Sequence, residues 1–308
     1  MRAWMGFLAV ALIGAGACRS AGKEQAIFEF HSGFWVNLHQ FLCHEATAKD
    51  PARSDSPQWQ AAVDYYRREV VTHNEKSHEL TDVNNRLSAA GSAAELPVEG
   101  LDPDLAASLA KAAAIYRAGW WPEHNRSNLA WIDAVRPLIE KYGAAIQKGI
   151  ATAYRIDWPA APIRTDVSAY ASAYGAYTTT SPAHITISST DASYQGMASL
   201  EMLFHEASHT LDEKLDAALA QELGARGKLF RRRGFEHAII FYTAGEITRR
   251  SVAGYEPCGI KNGVMERGWP GGLAVLEKDW KPYLEGQIDL AAAVEAVVAD
   301  YGVAKKAQ

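Results

Sequence analysis

Apolar residues recur every three to four positions through most of the chain, and this spacing predicts amphipathic helices. They are expected at about residues 27–48, 59–80, 104–117, 125–149, 195–218, 235–251 and 289–301. The segment from His184 to Ser189 instead alternates Ile185 and Ile187 with polar residues, which predicts a short strand with one buried face. A strand or turn is expected just before it, around Tyr177. The pattern therefore predicts a predominantly α-helical α+β protein with a small sheet.

The first apolar run is of a different kind. Residues 7–17 (FLAVALIGAGA) follow a short positive start and are too few to span a bilayer, but they suit the core of a signal peptide. Cleavage after Ala17 is expected, so residues 1–17 are interpreted as a signal peptide. Cys18 follows a lipobox-like Ala-Gly-Ala, so a lipid anchor at Cys18 and ordinary cleavage remain alternatives. Either one predicts export to a bacterial cell envelope or periplasm, or secretion.

The remaining chain divides most naturally near a proline-bearing break at residues 157–162. We expect a helical N-terminal region at 18–160 and a second region at 161–308 with the strand and the later helices. Nothing between residues 150 and 165 resembles a flexible linker. One continuous domain is therefore the alternative.

Composition narrows the class of protein. The 308 residues include 48% hydrophobic and 22% charged residues, which is ordinary for a folded protein. The 31 basic and 36 acidic residues give a net charge of −5, which disfavours a nucleic-acid partner. Export permits disulfides, so Cys43 and Cys258 are either a pair or free buried thiols.

The sequence HEASH, from His205 to His209, lies within the predicted helix at 195–218. Residues four apart project from one face of a helix, so both imidazoles can reach one metal ion. Glu206, beside the first histidine, is positioned to take a proton from a water that the metal activates. Glu201 and Asp212 lie on the same stripe and are candidates to accept the outer ring N–H of a ligand histidine.

This motif, directly after a strand with the residues ITIS, resembles the zincin metallopeptidases. The resemblance covers about residues 183–250. It implies one Zn²⁺ per chain, an active-site helix beside a small sheet, and an edge strand that pairs with an extended peptide or protein substrate. The glycine and third histidine of the metzincin subgroup do not follow His209. The gluzincin subgroup, whose third ligand is a glutamate from a later helix, is the better match.

The third ligand is sought downstream of His209. The candidates are Glu213, Glu222, Glu236, His237 and Glu246. Glu246 is favoured because it follows the small residues Ala244 and Gly245, which allow close helix approach, in a manner similar to the gluzincin third-ligand helix. His237 is the alternative, and the two lie on opposite faces of one helix. If Glu246 does not bind the metal, the alternative is an ion pair with Arg249 or Arg250 on the helix surface.

A group that stabilises the developing oxyanion is also expected. Tyr242 and Tyr255 are the candidates proposed as catalytic residues beside Glu206, with His237 as a third possibility. The resemblance to zincins motivates this search but does not select the residue.

Three functions compete. The first is an exported zinc hydrolase, a metallopeptidase, that acts on a peptide or protein. The second is a helical di-iron carboxylate protein, because Glu206 and His209 form a Glu-x-x-His pair and so do Glu75 and His78. The third is a non-catalytic envelope binding protein on a zincin frame. The sequence does not indicate an oligomeric state.

Overall fold

The computed structural model describes residues 26–52, 54–71, 78–97, 99–172, 175–226 and 234–304. Helices dominate these residues, with a small four-stranded sheet among them, so the predicted predominantly α-helical α+β class is confirmed. The predicted signal peptide and Cys18 lie outside the described residues. None of the described helices combines the length and the apolarity that crossing a membrane requires.

The sheet is mixed. Its strands are β1 (Phe28–His31), β2 (Ile163–Ser168), β3 (Ala176–Thr180) and β4 (Ala183–Ser188), in the spatial order β1-β2-β4-β3. β1, β2 and β4 run parallel, whereas β3 runs antiparallel to β4 and forms one edge. The strand predicted at 184–189 is therefore present as β4. The expectation of one buried face is wrong, because His184 and Ile185, which point to opposite faces of β4, are both buried.

The predicted helix at 27–48 is wrong in its first part. Residues 28–31 form β1, which pairs in parallel with β2, and only then does α1 (Phe34–Thr47) begin. Phe28 and Phe30 are two residues apart, so in a strand they share a face, and both pack on the core around the sheet. Pairing with β2, more than 130 residues away, overrides the helical spacing.

The N-terminal half continues as helices. They are α2 (Pro57–Tyr65), a π-helical turn (Tyr66–Val70), α3 (His78–Ala90), α4 (Pro103–Gly119) and α5 (Trp121–Tyr154). Ser56 and Asp102 cap α2 and α4 by accepting hydrogen bonds from first-turn backbone N–H groups, and a proline follows each cap. Helices α1 to α4 enclose a first hydrophobic core.

The second half adds further helices around the sheet. They are α6 (Met197–Ser208), α7 (Glu213–Arg226), α8 (Phe235–Ser251), α9 (Cys258–Lys261), α10 (Val264–Gly268), α11 (Gly272–Val275), α12 (Lys281–Leu284) and α13 (Leu290–Ala304). The helix predicted at 235–251 is confirmed as α8. The long helix predicted at 195–218 is wrong, because a turn at residues 209–212 divides it into α6 and α7.

A second hydrophobic core surrounds the sheet and α6, and it includes Phe28 and the part of α5 from Trp131 to Tyr154. The boundary between the two cores therefore falls inside α5, and the N-terminal strand β1 belongs to the second core. The two halves of the chain are interleaved through the sheet.

Candidate metal centre

Helix α6 is held rigidly in the second core. Its buried residues Leu203, Phe204 and Ala207 have no exposed surface, and the helix contacts α5, α8, β3 and β4. Because elements pack on it from several sides, its polar residues also face the interior. His205 is 2% exposed and Glu206 is 5% exposed. Burying such groups is costly unless they are paired or bind a ligand.

The helix ends where the HEASH motif ends. His209 occupies the C-cap position with helical backbone angles, so it remains one turn after His205 on the same side. The backbone N–H and the hydroxyl of Thr210 both donate to the carbonyl of Ala207, which closes the last turn. The ring centroids of His205 and His209 are 5.1 Å apart. The two imidazoles thus meet as the spacing predicts, with His209 at the solvent side.

A third imidazole comes from α8. His237 lies in the first turn of this helix, and its ring centroid is 5.0 Å from that of His205 and 5.1 Å from that of His209. Its Nε2 atom is 3.0 Å from Nε2 of His205. One ring nitrogen from each of the three histidines lies within 4.8 Å of the others.

This arrangement fits a divalent metal ion. Two nitrogen ligands at about 2.0–2.1 Å from a tetrahedral zinc ion are about 3.3–3.4 Å apart, close to the separation of the two Nε2 atoms. Burial holds the pKa of His205 well below its ordinary value, and burial together with the charge of His237 lowers that of His209 to about 3. Both rings are therefore neutral at pH 7, the form that binds metals. The donor set is that of a three-histidine site.

The Nδ1 atom of His205 is buried and has no hydrogen-bond partner among the described residues. The expectation that Glu201 would accept from it is wrong. Both carboxylate oxygens of Glu201 are engaged elsewhere, by the Tyr255 hydroxyl at 2.7 Å and by the backbone N–H and thiol of Cys258. Asp212 lies in the turn after α6 rather than on its stripe.

Glu206 faces the edge strand β3. Its Oε2 atom accepts a hydrogen bond from the Thr178 hydroxyl at 2.7 Å, and the same hydroxyl lies 2.9 Å from the Glu206 carbonyl oxygen. Burial raises the pKa of Glu206 to about 7, although the bond from Thr178 favours the charged form. A carboxyl group with such a pKa can both take and return a proton near neutral pH.

Glu246 is not brought to the histidines. It lies on the opposite face of α8 from His237, and its carboxylate accepts hydrogen bonds from Arg249 at 2.7 and 2.8 Å and from Arg250 at 2.8 Å. Burial alone would raise the pKa of Glu246, but the two guanidinium groups outweigh it and hold the pKa below its ordinary value. The structure thus places His237, and not the favoured Glu246, beside His205 and His209.

The two tyrosines proposed for the oxyanion have neighbours other than the histidines. The Tyr255 hydroxyl donates to Glu201. Tyr242 lies on α8 near Glu246 and Glu277, and its pKa is raised by burial and by the charge of Glu277. Neither hydroxyl is part of the three-histidine cluster, so their assignment as catalytic residues has no support from this geometry.

Sequence reasoning missed three neighbours of the cluster. The Phe241 ring lies 4.4 Å from that of His205, and the edge of Trp269 packs on His237 at 5.7 Å, both measured between centroids. Thr178 is the third. Phe241 stands one turn after His237, and this helical spacing is the one signal that could have indicated it. Trp269 and Thr178 come from distant segments.

Two open alternatives are also addressed by the structure. Cys43 and Cys258 are free thiols and form no disulfide; Cys258 is buried as expected, whereas Cys43 is only half-buried. The second Glu-x-x-His pair of the di-iron alternative falls on Glu75 and His78; Glu75 lies outside the described residues, as does the side chain of His78.

No model of a protein family matches the chain, and no curated protein or solved structure is significantly similar to it. A functional proposal therefore rests on the sequence and on the geometry of the site.

Proposed function

We propose that the protein is an exported zinc-dependent hydrolase that cleaves peptides, with His205, His209 and His237 as the metal ligands and Glu206 as the general base. The observation that supports it is the convergence of three imidazoles from two helices, with a buried carboxyl group next to the first ligand. Three protein ligands with one open position are typical of catalytic zinc sites, whereas structural sites use four.

Each residue has a distinct task. The three imidazoles would hold the metal, and burial lowers the pKa of His205 and of His209, which keeps competing protons away from these two rings. Zinc, when bound, supplies a Lewis acid that polarises the carbonyl and lowers the pKa of water. Glu206 takes the proton of the attacking water at its carboxylate and returns it to the leaving amine, since its pKa of about 7 suits both transfers.

A peptide substrate is supported by the sheet. Among the strands that the structure describes, β3 pairs with β4 alone, and Thr178 of this strand contacts Glu206. The free backbone N–H and C=O groups of an edge strand bind extended peptides by strand addition. A peptide bond aligned along β3 would therefore pass close to the proposed base.

Export is proposed from the sequence of residues 1–18 alone. The same segment supports anchoring through a lipid on Cys18 as an alternative to simple cleavage.

The test begins with metal analysis of the purified protein, for which we expect one zinc per chain. Glu206→Gln keeps the size of the side chain but removes the base, so it should retain zinc and lose peptide hydrolysis by a factor of at least about 100. Hydrolysis by this variant at the wild-type rate would overturn the mechanism. Zinc binding without any hydrolysis by the wild type would favour a binding protein, and two irons per chain would favour the di-iron class.

A further inference from the structure

The contact between Thr178 and Glu206 joins the sheet to the proposed base. A threonine hydroxyl carries one proton and two lone pairs, so it can donate to Glu206 Oε2 or accept from the protonated carboxyl group. At 2.7 Å this bond fixes one carboxyl oxygen against β3 and leaves Oε1 as the oxygen free to accept a proton. Glu206 itself is almost fully buried, so solvent does not compete for the bond.

The neighbouring residue of the strand is held by the N-terminal half. Tyr177 alternates with Thr178 and therefore points to the other face of β3. Its hydroxyl accepts a hydrogen bond from Nε2 of Gln40 in α1 at 2.7 Å. Oε1 of Gln40 accepts from the backbone N–H of Ser172 at 3.2 Å. One buried amide group thus binds both Ser172, which precedes β3, and Tyr177 within this strand.

We propose that Thr178 is the positioning residue of the general base and that Gln40, through Tyr177, fixes the strand that carries it. The inference rests on the proposed function and extends it, because it gives the N-terminal helical half a part in the reaction. The path runs Gln40 to Tyr177 to Thr178 to Glu206, and each step is a short hydrogen bond or an adjacent residue.

The physical reason is alignment. A general base works only when its oxygen lies within about 2.6–3.2 Å of the proton it takes. A glutamate has three rotatable bonds, and a bond to one oxygen restricts the position of the other. Groups that orient metal ligands by hydrogen bonds typically contribute 10–100-fold to metal affinity or activity, and we expect an effect of the same order for a group that orients the base.

The main experiment compares Thr178→Val with Thr178→Ser. Valine keeps the β-branched shape but removes the hydroxyl, so we expect kcat to fall about 10–100-fold with KM changed less than about threefold and one zinc still bound. Serine restores the hydroxyl, so its kcat should return to within about threefold of wild type. Thr152→Val is the matched control, because the hydroxyl of this exposed threonine in α5 bonds to the backbone of its own helix.

The outcomes separate this inference from the proposed function. If the wild type is active and Thr178→Val has the same kcat, the positioning role alone is overturned. The same holds if the kcat of Thr178→Ser is no higher than that of Thr178→Val. Loss of zinc from Thr178→Val would also overturn it, since the residue would then support the metal site. If the wild type hydrolyses no peptide, both the proposed peptidase function and the positioning role of Thr178 are overturned.

A second measurement tests the link to α1 without any catalytic readout. Gln40→Leu removes both bonds of the amide while keeping a buried side chain of similar size. With zinc absent from both proteins, we expect the backbone amides of β3 to exchange hydrogen at least about tenfold faster in Gln40→Leu than in the wild type. The amides of α13 should exchange at the same rate in both. Equal protection of β3 in both proteins would overturn the part assigned to Gln40.

Discussion

Histidines lie beside both hydrophobic cores of this molecule, and each group includes buried rings. In the first core, His39 and His124 are at most 9% exposed, and burial lowers the pKa of each to about 4. In the second core, His205 has the same low exposure and a pKa far below its ordinary value. Burial and pKa shift therefore do not distinguish a structural histidine from a ligand.

The partners of the rings do distinguish them. Nδ1 of His39 is joined by a hydrogen bond of 2.9 Å to the Tyr66 hydroxyl, and Nδ1 of His124 is joined in the same way to Tyr116. A hydroxyl can both donate and accept, so either tautomer is satisfied. In the second core the rings instead turn nitrogen atoms towards one another. Convergent ring nitrogens could bind a metal ion, whereas the pairing with a tyrosine hydroxyl satisfies a ring nitrogen without one.

The largest expected effect of this difference is on metal binding. His237→Ala removes one of three ligands, so we expect zinc affinity to fall by more than 100-fold, beyond the 10–100-fold typical of residues that merely support a ligand. His39→Gln, in the other core, should bind zinc with wild-type affinity. Titration with a competing chelator measures both. Unchanged affinity in His237→Ala would remove this histidine from the site and reopen the choice of third ligand.

The sequence and the structure agree on His205 and His209 for a local reason. Four-residue spacing on a helix fixes the relative placement of two side chains whatever the rest of the fold does. The third ligand depends instead on which face of α8 meets α6. The spacing of His237 and Glu246 places them on opposite faces of the helix, but it does not show which one turns towards α6. Arg249 and Arg250 lie one turn after Glu246, and this spacing indicates an ion pair with the Glu246 carboxylate.

The same limit applies to the fold. Helix α8 was predicted at its observed bounds, because its own amphipathic pattern determines it. The strand β1 was predicted as helix, because its pairing with β2 involves residues far apart in sequence. The division of α6 from α7 after His209 was also missed. Thr210 closes the helix there by donating to its own backbone, a local competition that apolar spacing does not register.

A pH titration of stability would sharpen the comparison in the first core. The pKa of His39 is lowered from 6.5 to about 4 by burial, and its ring bonds to the Tyr66 hydroxyl and, at 4.0 Å, to the Cys43 thiol. As the pH falls, His39 binds a proton in the unfolded chain before it does so in the folded protein. The contribution of neutral His39 to the free energy of unfolding is therefore complete above pH 6.5 and is lost as the pH falls towards 4. From pH 7 to pH 5 the loss is about 2 kcal/mol in the free energy of unfolding.

His39→Gln lacks this titration, so its free energy of unfolding should fall by about 2 kcal/mol less than that of wild type over the same pH interval. Urea unfolding at the two pH values measures the difference, and groups common to both proteins cancel. Identical losses of the free energy of unfolding in the two proteins would mean that burial does not hold His39 neutral. The two cores would then no longer share a buried histidine with a lowered pKa.

The smallest expected effect concerns Glu246, which shares α8 with His237 but not its surroundings. Its arginine partners are 45% and 32% exposed, so solvent screens the pairs. Glu246→Gln should therefore lower the free energy of unfolding by no more than about 1 kcal/mol. It should leave one zinc per chain, because the carboxylate is turned away from the histidines. Loss of zinc from this variant would contradict the separation of the two faces of α8, and would mean that the helix rotates or shifts to present Glu246 when the metal binds.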